Sequence, residues 1–198
     1  MIDYLFPALG YLLGSVSTAV VVARLMKLED PRTVGSRNPG ATNILRYGGK
    51  FAAALTLMGD ALKGVIPVLI ARAFTAEPMI LALTGLLAFL GHLYPVFFGF
   101  RGGKGVATAL GVWLALSPWV ALALITTWLA MAAVFRYSSF AAVTAAALAP
   151  VYVWWTFPGQ PPYVAVSVMM SVLLIWRHRA NIRKLLAGGE GKIGRPAS

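Results

Sequence analysis

Seven apolar runs, separated by connectors that hold nearly all of the charge, leave this chain few folds to choose from. The runs are Tyr4–Met26, Phe51–Phe74, Met79–Gly91, Val106–Leu116, Trp119–Phe135, Phe140–Phe157 and Tyr163–Trp176. At roughly 1.5 Å per residue the longer ones can cross ~30 Å of hydrocarbon as helices. Composition agrees: 59% hydrophobic residues, 12% charged residues and a mean hydropathy of +0.77 exceed what a soluble core needs. The expected class is therefore an all-α integral membrane protein, a single polytopic domain over residues 1–198 with a basic tail from about residue 177. The first run has no basic leader and no small-residue cleavage site in a polar context, so it is read as a retained helix.

Charge sets the expected topology. Of 17 Lys and Arg residues, Lys63 and Arg72 lie within the second run; the other fifteen sit in or beside connectors. Ser117-Pro118 interrupts the stretch from Gly105 to Phe135, because proline cannot continue a helical ladder and disfavours helix in the residue before it. If the chain turns back there, all fifteen fall on one side of the membrane; otherwise they divide eight against seven. The positive-inside rule selects the turn, and with it seven spans, the N-terminus outside and the C-terminus in the cytoplasm. The third and fourth spans then come out short, and the loop between them is expected to sink into the membrane, where irregular backbone must be buried in protein or line a wet cavity. The net charge of +11 is distributed over these connectors rather than over a solvated domain, so lipid headgroups and phosphorylated substrates are the expected anionic partners and nucleic acid is not. Cysteine is absent, which excludes disulfides, thiolate nucleophiles and thioester intermediates on the protein.

Three polar clusters fall on the side that carries the charge. The first, Gly35-Ser36-Arg37-Asn38-Pro39-Gly40-Ala41-Thr42-Asn43, contains an Asn-Pro-Gly turn, and Thr42 or Asn43 can cap the helix that follows. The second is Gly91 to Thr108, where Gly99, Gly102, Gly103 and Gly105 leave backbone N–H groups uncovered and Arg101 and Lys104 add two donors suited to phosphate. The third, Arg177-His178-Arg179-Ala180-Asn181-Ile182-Arg183-Lys184, puts His178, Asn181 and Ile182 on one helical face by i, i+3 and i+4 spacing. Each has a structural alternative: a turn with a cap, a basic loop on anionic lipid, and a helix stop at the inner leaflet.

Together the three clusters resemble the signature segments of the PlsY family of bacterial acyl-phosphate:glycerol-3-phosphate acyltransferases, over Gly35–Asn43, Gly91–Thr108 and Arg177–Glu190. The resemblance runs over essentially the whole chain. It implies transfer of a fatty acyl group from acyl phosphate to the sn-1 hydroxyl of sn-glycerol 3-phosphate in a bacterial cytoplasmic membrane, with the bilayer and the two substrates as partners, no cofactor and no obligate protein partner. On this reading Arg101, Gly102, Gly103 and Lys104 hold the phosphate of glycerol 3-phosphate. Ser36, Arg37, Asn38, Thr42 and Asn43 hold the acyl phosphate head and orient its carbonyl, and His178 and Asn181 position the attacking hydroxyl. Acyl phosphate is a mixed anhydride with a good leaving group, so alignment and charge stabilisation suffice without a covalent acyl-enzyme. A histidine between Arg177 and Arg179 should hold a proton less readily, so the expected proton acceptor is the donor's own phosphate.

The remaining polar residues have narrower readings. Asp60 and Lys63 lie three apart on one helix, which fits an intramembrane ion pair; Lys63 is also a candidate phosphate ligand. Ser139, with Ser138, stands at the start of the sixth helix, as a cap or a substrate contact. His92 is expected to pin Tyr94-Pro95, Glu190 to tie down the tail by ion pairing, the tail to fray after Gly188, and the tryptophans to anchor at the interface. Neither histidine is followed five residues later by Asp, as the His-x4-Asp acyltransferases require, and Gly103-Lys104 is not a Walker A motif. With only six acidic residues, a two-metal site or the aspartate cluster of a CDP-alcohol phosphotransferase is not available. The competing class is a transporter of organic phosphate or anionic lipid, which also uses broken helices, although the chain lacks an internal repeat.

Overall fold

The computed structural model describes residues 5–194; Tyr4, at the head of the first run, and Arg195, in the basic tail, lie outside the described residues. All regular structure among the described residues is helical, and each of the seven apolar runs forms helix. Four helices are long and apolar enough to cross a membrane, or five if a bent N-terminal pair counts as one span. The chain divides into two compact units, one ending at Leu116 and the other beginning at Ser117.

In the first unit the opening run is broken into α1 (Leu5–Gly14) and α2 (Thr18–Leu25), bent by 41°. Ser15 caps its own turn back onto Tyr11 O at 2.8 Å, and the break frees the carbonyl of Val16. Lys63 Nζ donates to that carbonyl at 2.8 Å, so a polar group exposed by the break is satisfied inside the protein, as an apolar surround demands. A short α3 (Ala41–Tyr47) leads into α4 (Gly49–Phe74), whose 26 residues carry Pro67. Next come α5 (Pro78–Leu93), a 3-10 turn over Val96–Phe98, and α6 (Val106–Leu116). The third span is not short: α5 runs through Gly91 and His92, and with the 3-10 turn its apolar stretch covers Pro78–Phe98, 21 residues. Of the two, α6, with 11 residues, is too short to cross alone.

Small residues let these helices meet backbone to backbone. α1 lies on α5 with Gly10 against Thr84, Gly14 against the backbone of Ala88, and Gly91 against Tyr11 and Ser15. α4 meets α6 in the same way through Gly64 against Thr108 and Gly111 against Ala61. Lipid is as apolar as these helices, so close packing and internal hydrogen bonds supply what hydrophobic burial cannot. The guanidinium of Arg72, near the end of α4, donates through Nη1 to Ala115 O at the end of α6.

The second unit contains α7 (Pro118–Phe135), α8 (Ser138–Thr156), α9 (Pro161–Arg177) and α10 (Arg179–Leu186). Gly105 to Phe135 is thus two helices: Ser117 accepts from Val120 N at 3.4 Å, and Pro118 occupies the first helical turn where its missing N–H costs nothing. The hydroxyls of Thr127 and Tyr152 meet at 2.8 Å across α7 and α8, and Ala141, Ala142, Ala145, Ala146 and Ala149 form a small, buried face of α8. Trp154 and Trp155 are 66% and 79% exposed near the end of α8, the disposition of membrane-interface anchors. The tail does not fray after Gly188. Ile193 N donates to Arg136 O at 2.6 Å, Arg136 Nη2 returns a bond to Ile193 O at 3.3 Å, and Lys192 lies over the Tyr137 ring.

Packing of α1 on α5 predicts that Gly14→Leu lowers stability by about 1–3 kcal/mol, the usual range for overpacking. Gly189→Ala, which meets nothing within 4 Å, should change it by under ~0.5 kcal/mol. Thermal unfolding of both variants in detergent micelles checks the contrast.

Candidate active site

The first polar connector is held rigid by side chains that do not face outward. Asn43 is buried, and its Oδ1 accepts from Ser36 N at 2.9 Å while its Nδ2 donates to Pro31 O at 3.0 Å and Val34 O at 3.1 Å. It is therefore a clamp inside the connector rather than a helix cap; α3 begins at Gly40 without a side-chain cap, and Thr42 is exposed. Asp30 and Arg32 form a bidentate pair, Nε to Oδ1 at 2.9 Å and Nη2 to Oδ2 at 2.6 Å. Hydrogen bonds from Arg32 hold the Asp30 carboxyl below its ordinary 3.8, and the carboxylate in turn raises Arg32. On this scaffold Gly35 and Arg37 take left-handed backbone, φ +58° and +56°, which turns the chain sharply around Ser36. Ser36 and Arg37 are exposed and Asn38 is half-buried.

The second connector is folded onto the first. Phe98 N and Phe100 N both donate to Pro95 O, at 3.1 and 2.9 Å, and Gly99 and Phe100 are left-handed. Arg32 Nη1 reaches Phe98 O at 3.4 Å, and Tyr11 Oη donates to Tyr94 O at 2.8 Å. Beyond this turn, Gly103 N donates to His92 O at 3.1 Å. A side chain on Gly102 would strike the carbonyls of His92 and Leu93; one on Gly103 would strike the His92 ring and come within 2.9 Å of Pro39 O. The two glycines are thus needed first for backbone approach, and the Gly103 amide is spent on His92 rather than left open to a ligand. Arg101 remains exposed and Lys104 half-buried at the two ends of this pinned strand. Within the first unit, then, Ser36–Asn43 and Arg101–Lys104 are adjacent surfaces of one platform.

Beneath it lies a cluster that the sequence shows only in part. Asp60 Oδ1 is 2.8 Å from Lys63 Nζ, the expected pair, and 3.5 Å from His92 Nδ1, with all three residues buried. His92 thus stands between Asp60 and Gly103, a placement that the sequence does not signal. Lys63 donates one N–H to Val16 O and pairs its charge with Asp60, so its ammonium is already engaged on two sides.

In the second unit His178 occupies the junction of α9 and α10, with backbone φ −91° and ψ 2°; Ile182 N still donates to His178 O at 2.9 Å, the i, i+4 bond of a helical turn, so the expected face with Asn181 and Ile182 carries across the junction. Its ring is buried, and Nδ1 is 2.8 Å from Leu174 O. A carbonyl only accepts, so Nδ1 carries the hydrogen and Nε2 holds the lone pair of the neutral ring. Glu190 accepts from Ser139 Oγ at 2.6 Å and from Asn181 Nδ2 at 2.7 Å. These hydrogen bonds tie the tail, and Ser139 is engaged with Glu190 rather than capping α8, whose cap position is Tyr137. The i, i+9 spacing of Asn181 and Glu190 carries no sequence signal; the carboxylate's role emerges only once the tail folds back.

Basic side chains and hydroxyls gathered on one braced surface of an all-helical protein have the chemistry to meet a phosphorylated molecule, and comparison with known proteins supplies the class. The glycerol-3-phosphate acyltransferase family model matches residues 4–188. The chain is 60% identical over 185 residues to the glycerol-3-phosphate acyltransferase of Thioalkalivibrio sulfidiphilus, covering 93% of this chain and 91% of that protein, and 52% identical over the full length of both to that of Halorhodospira halophila. It also matches the crystal structure of PlsY (YgiH), an integral membrane glycerol 3-phosphate acyltransferase, in its glycerol 3-phosphate form, with a TM-score of 0.92 and 44% identity over 98% of this chain and 96% of that one. The lysophosphatidic acid form of PlsY matches with a TM-score of 0.90 and 42% identity over the same shares. The chain belongs to the PlsY family of glycerol-3-phosphate acyltransferases. It is an enzyme of phospholipid synthesis, and the transporter alternative is set aside.

Two predictions follow from the platform's geometry. Gly103→Ala forces the loop away from His92 and Pro39 by roughly an ångström, and a displacement of that size is expected to cost on the order of a hundredfold in turnover while the protein still elutes as a folded micellar species. For the Asp30–Arg32 tie, a carboxyl depressed on folding contributes its stability above the unfolded value of 3.8 and loses it as pH falls through the lower folded value. Asp30→Asn at pH 7 should therefore reproduce the loss of amide protection over residues 32–36 that the native chain shows only in acid below that value.

Proposed function

We propose that the protein transfers a fatty acyl group from acyl phosphate to the sn-1 hydroxyl of sn-glycerol 3-phosphate, releasing 1-acyl-glycerol 3-phosphate and inorganic phosphate. The observation that carries this reading is the full-length likeness to PlsY in its glycerol 3-phosphate and lysophosphatidic acid forms, joined to a platform already shaped for phosphate. The glycerol oxygen attacks the acyl carbon, the anhydride C–O bond to phosphate breaks, and the hydroxyl proton leaves with the phosphate. Arg101 and Lys104, at the ends of the Gly102-Gly103 strand, bind the glycerol phosphate. Ser36, Arg37, Asn38 and Thr42 bind the acyl phosphate head, and Asn43 holds the connector that presents them. Lys63, already engaged with Val16 O and Asp60, contributes to the phosphate chiefly through its charge.

His178 and Asn181 orient the hydroxyl. The bond from Nδ1 to Leu174 O fixes the imidazole, and Glu190 fixes the Asn181 amide and Ser139. We assign the proton to a phosphate oxygen of the donor, which becomes more basic as the anhydride bond breaks. The charge pattern supports seven spans in one polytopic domain, with the N-terminus outside, the C-terminus in the cytoplasm, and the Tyr94–Gly105 connector within the cytoplasmic leaflet of a bacterial inner membrane.

Purified protein in detergent, given palmitoyl phosphate and glycerol 3-phosphate, is expected to make lysophosphatidate, and palmitoyl-CoA is expected not to replace the phosphate donor. Lysophosphatidate formed equally from both donors would refute the donor assignment. A His178→Ala variant should lose turnover yet keep the native pH profile; loss of one limb of that profile would show that His178 carries the proton.

A further inference from the structure

Asp60 and His92 have no part in the reaction as assigned, yet they lie directly under the platform. Three observations connect them to it. His92 presents its carbonyl to Gly103 N at 3.1 Å, and its ring fills the space where a Gly103 side chain would stand. On the other side of the ring, Nδ1 faces Asp60 Oδ1 at 3.5 Å. Asp60 is held by Lys63 at 2.8 Å, and Lys63 is tied to Val16 O at the break between α1 and α2, also at 2.8 Å. No hydrogen bond joins these two buried atoms, yet a carboxylate at this distance favours, by charge alone, the tautomer with hydrogen on Nδ1. A buried ion pair that only neutralised itself would need no contact with a third polar group on another helix.

We infer that Asp60, acting through His92, is a positioning pair that sets the height of the Gly102-Gly103 strand and so the separation of Arg101 and Lys104 from the glycerol phosphate. Neither residue touches substrate; they fix the surface on which it sits. The chain of contacts also makes the α1–α2 break part of the device, because Val16 O restrains Lys63 and Lys63 restrains the carboxylate. The inference rests on the assignment of this strand to glycerol 3-phosphate.

The test measures KM for each substrate, with the other saturating, in full-length protein purified in detergent. His92→Leu keeps the bulk against Gly103 but removes the polar contact, and KM for glycerol 3-phosphate is expected to rise about ten- to a hundredfold, the range found for partners that orient a binding group, while KM for palmitoyl phosphate stays within about twofold. His92→Asn, whose amide nitrogen can face Asp60 in place of Nδ1, should return KM to within about threefold of the native protein. Asp60→Asn should raise the same KM, and Asp60→Asn in the His92→Leu background should add nothing further, because one residue acts through the other. If Asp60→Asn does not fold, the two His92 variants still decide the question.

Unchanged KM values in His92→Leu would overturn the inference. So would equal rises for both substrates with a lowered unfolding temperature, the mark of a purely structural role. Lys104→Ala is measured alongside: a rise in its KM for palmitoyl phosphate, matched by His92→Leu, would overturn the substrate assignment of the strand and leave the positioning role standing.

Discussion

The contact of the Gly103 amide with the His92 carbonyl is what turns a glycine-rich connector into a surface. Without it, the segment from Gly99 to Gly105 would be a flexible chain whose two basic side chains would have to be ordered by the ligand at an entropic cost of roughly 1–2 kcal/mol per residue. With it, the strand lies in van der Waals contact with the last turn of α5 and with Pro39 of the neighbouring connector. The glycines are there because nothing larger fits between those two backbones. Arg32 adds the second tie, joining Asp30 of the first connector to Phe98 O of the second. The polar platform is thus cross-braced by groups that never face a ligand.

The membrane imposes the other half of the design. Backbone carbonyls that a kink exposes in hydrocarbon must find a donor within the protein, and here the donor is a buried lysine whose own charge needs a carboxylate. One structural irregularity, the break after Gly14, therefore brings a charged pair into the first unit, and the pair's carboxylate lies against the histidine under the strand. Elsewhere the helices solve the association problem with glycine and alanine, which permit backbone contact where lipid offers no hydrophobic drive. The second unit uses its tail instead: Glu190 collects Asn181 and Ser139, and Ile193 closes on Arg136.

The helical runs, the break at Ser117-Pro118, the Asp60–Lys63 pair and the three polar clusters were legible in the sequence because each rests on local chemistry. Apolar length, proline and i, i+3 spacing need no knowledge of the fold. The bend at Ser15–Ser17 was hidden in a continuous apolar run, since two serines and a valine raise no polar signal strong enough to divide it. The approach of Asp60 to His92 is not legible, because the two lie 32 residues apart on different helices. Asn43 was read as a cap from its place at a helix start, whereas its amide has three partners inside the preceding connector. Gly102 and Gly103 stand out in the sequence as uncovered amides; the structure shows a demand for close packing, which spacing alone does not distinguish from phosphate binding.

The central claim is that the strand is formed before substrate arrives. Hydrogen–deuterium exchange of the substrate-free protein in detergent tests it most directly, resolved to the amides from Gly99 to Gly105. The structure predicts that Gly103 exchanges much more slowly than the exposed amides around Gly99, and that adding glycerol 3-phosphate changes its rate little. Exchange of Gly103 at the rate of an unstructured chain, slowing only when glycerol 3-phosphate is added, would show instead that the ligand builds the surface and that the contact with His92 follows binding.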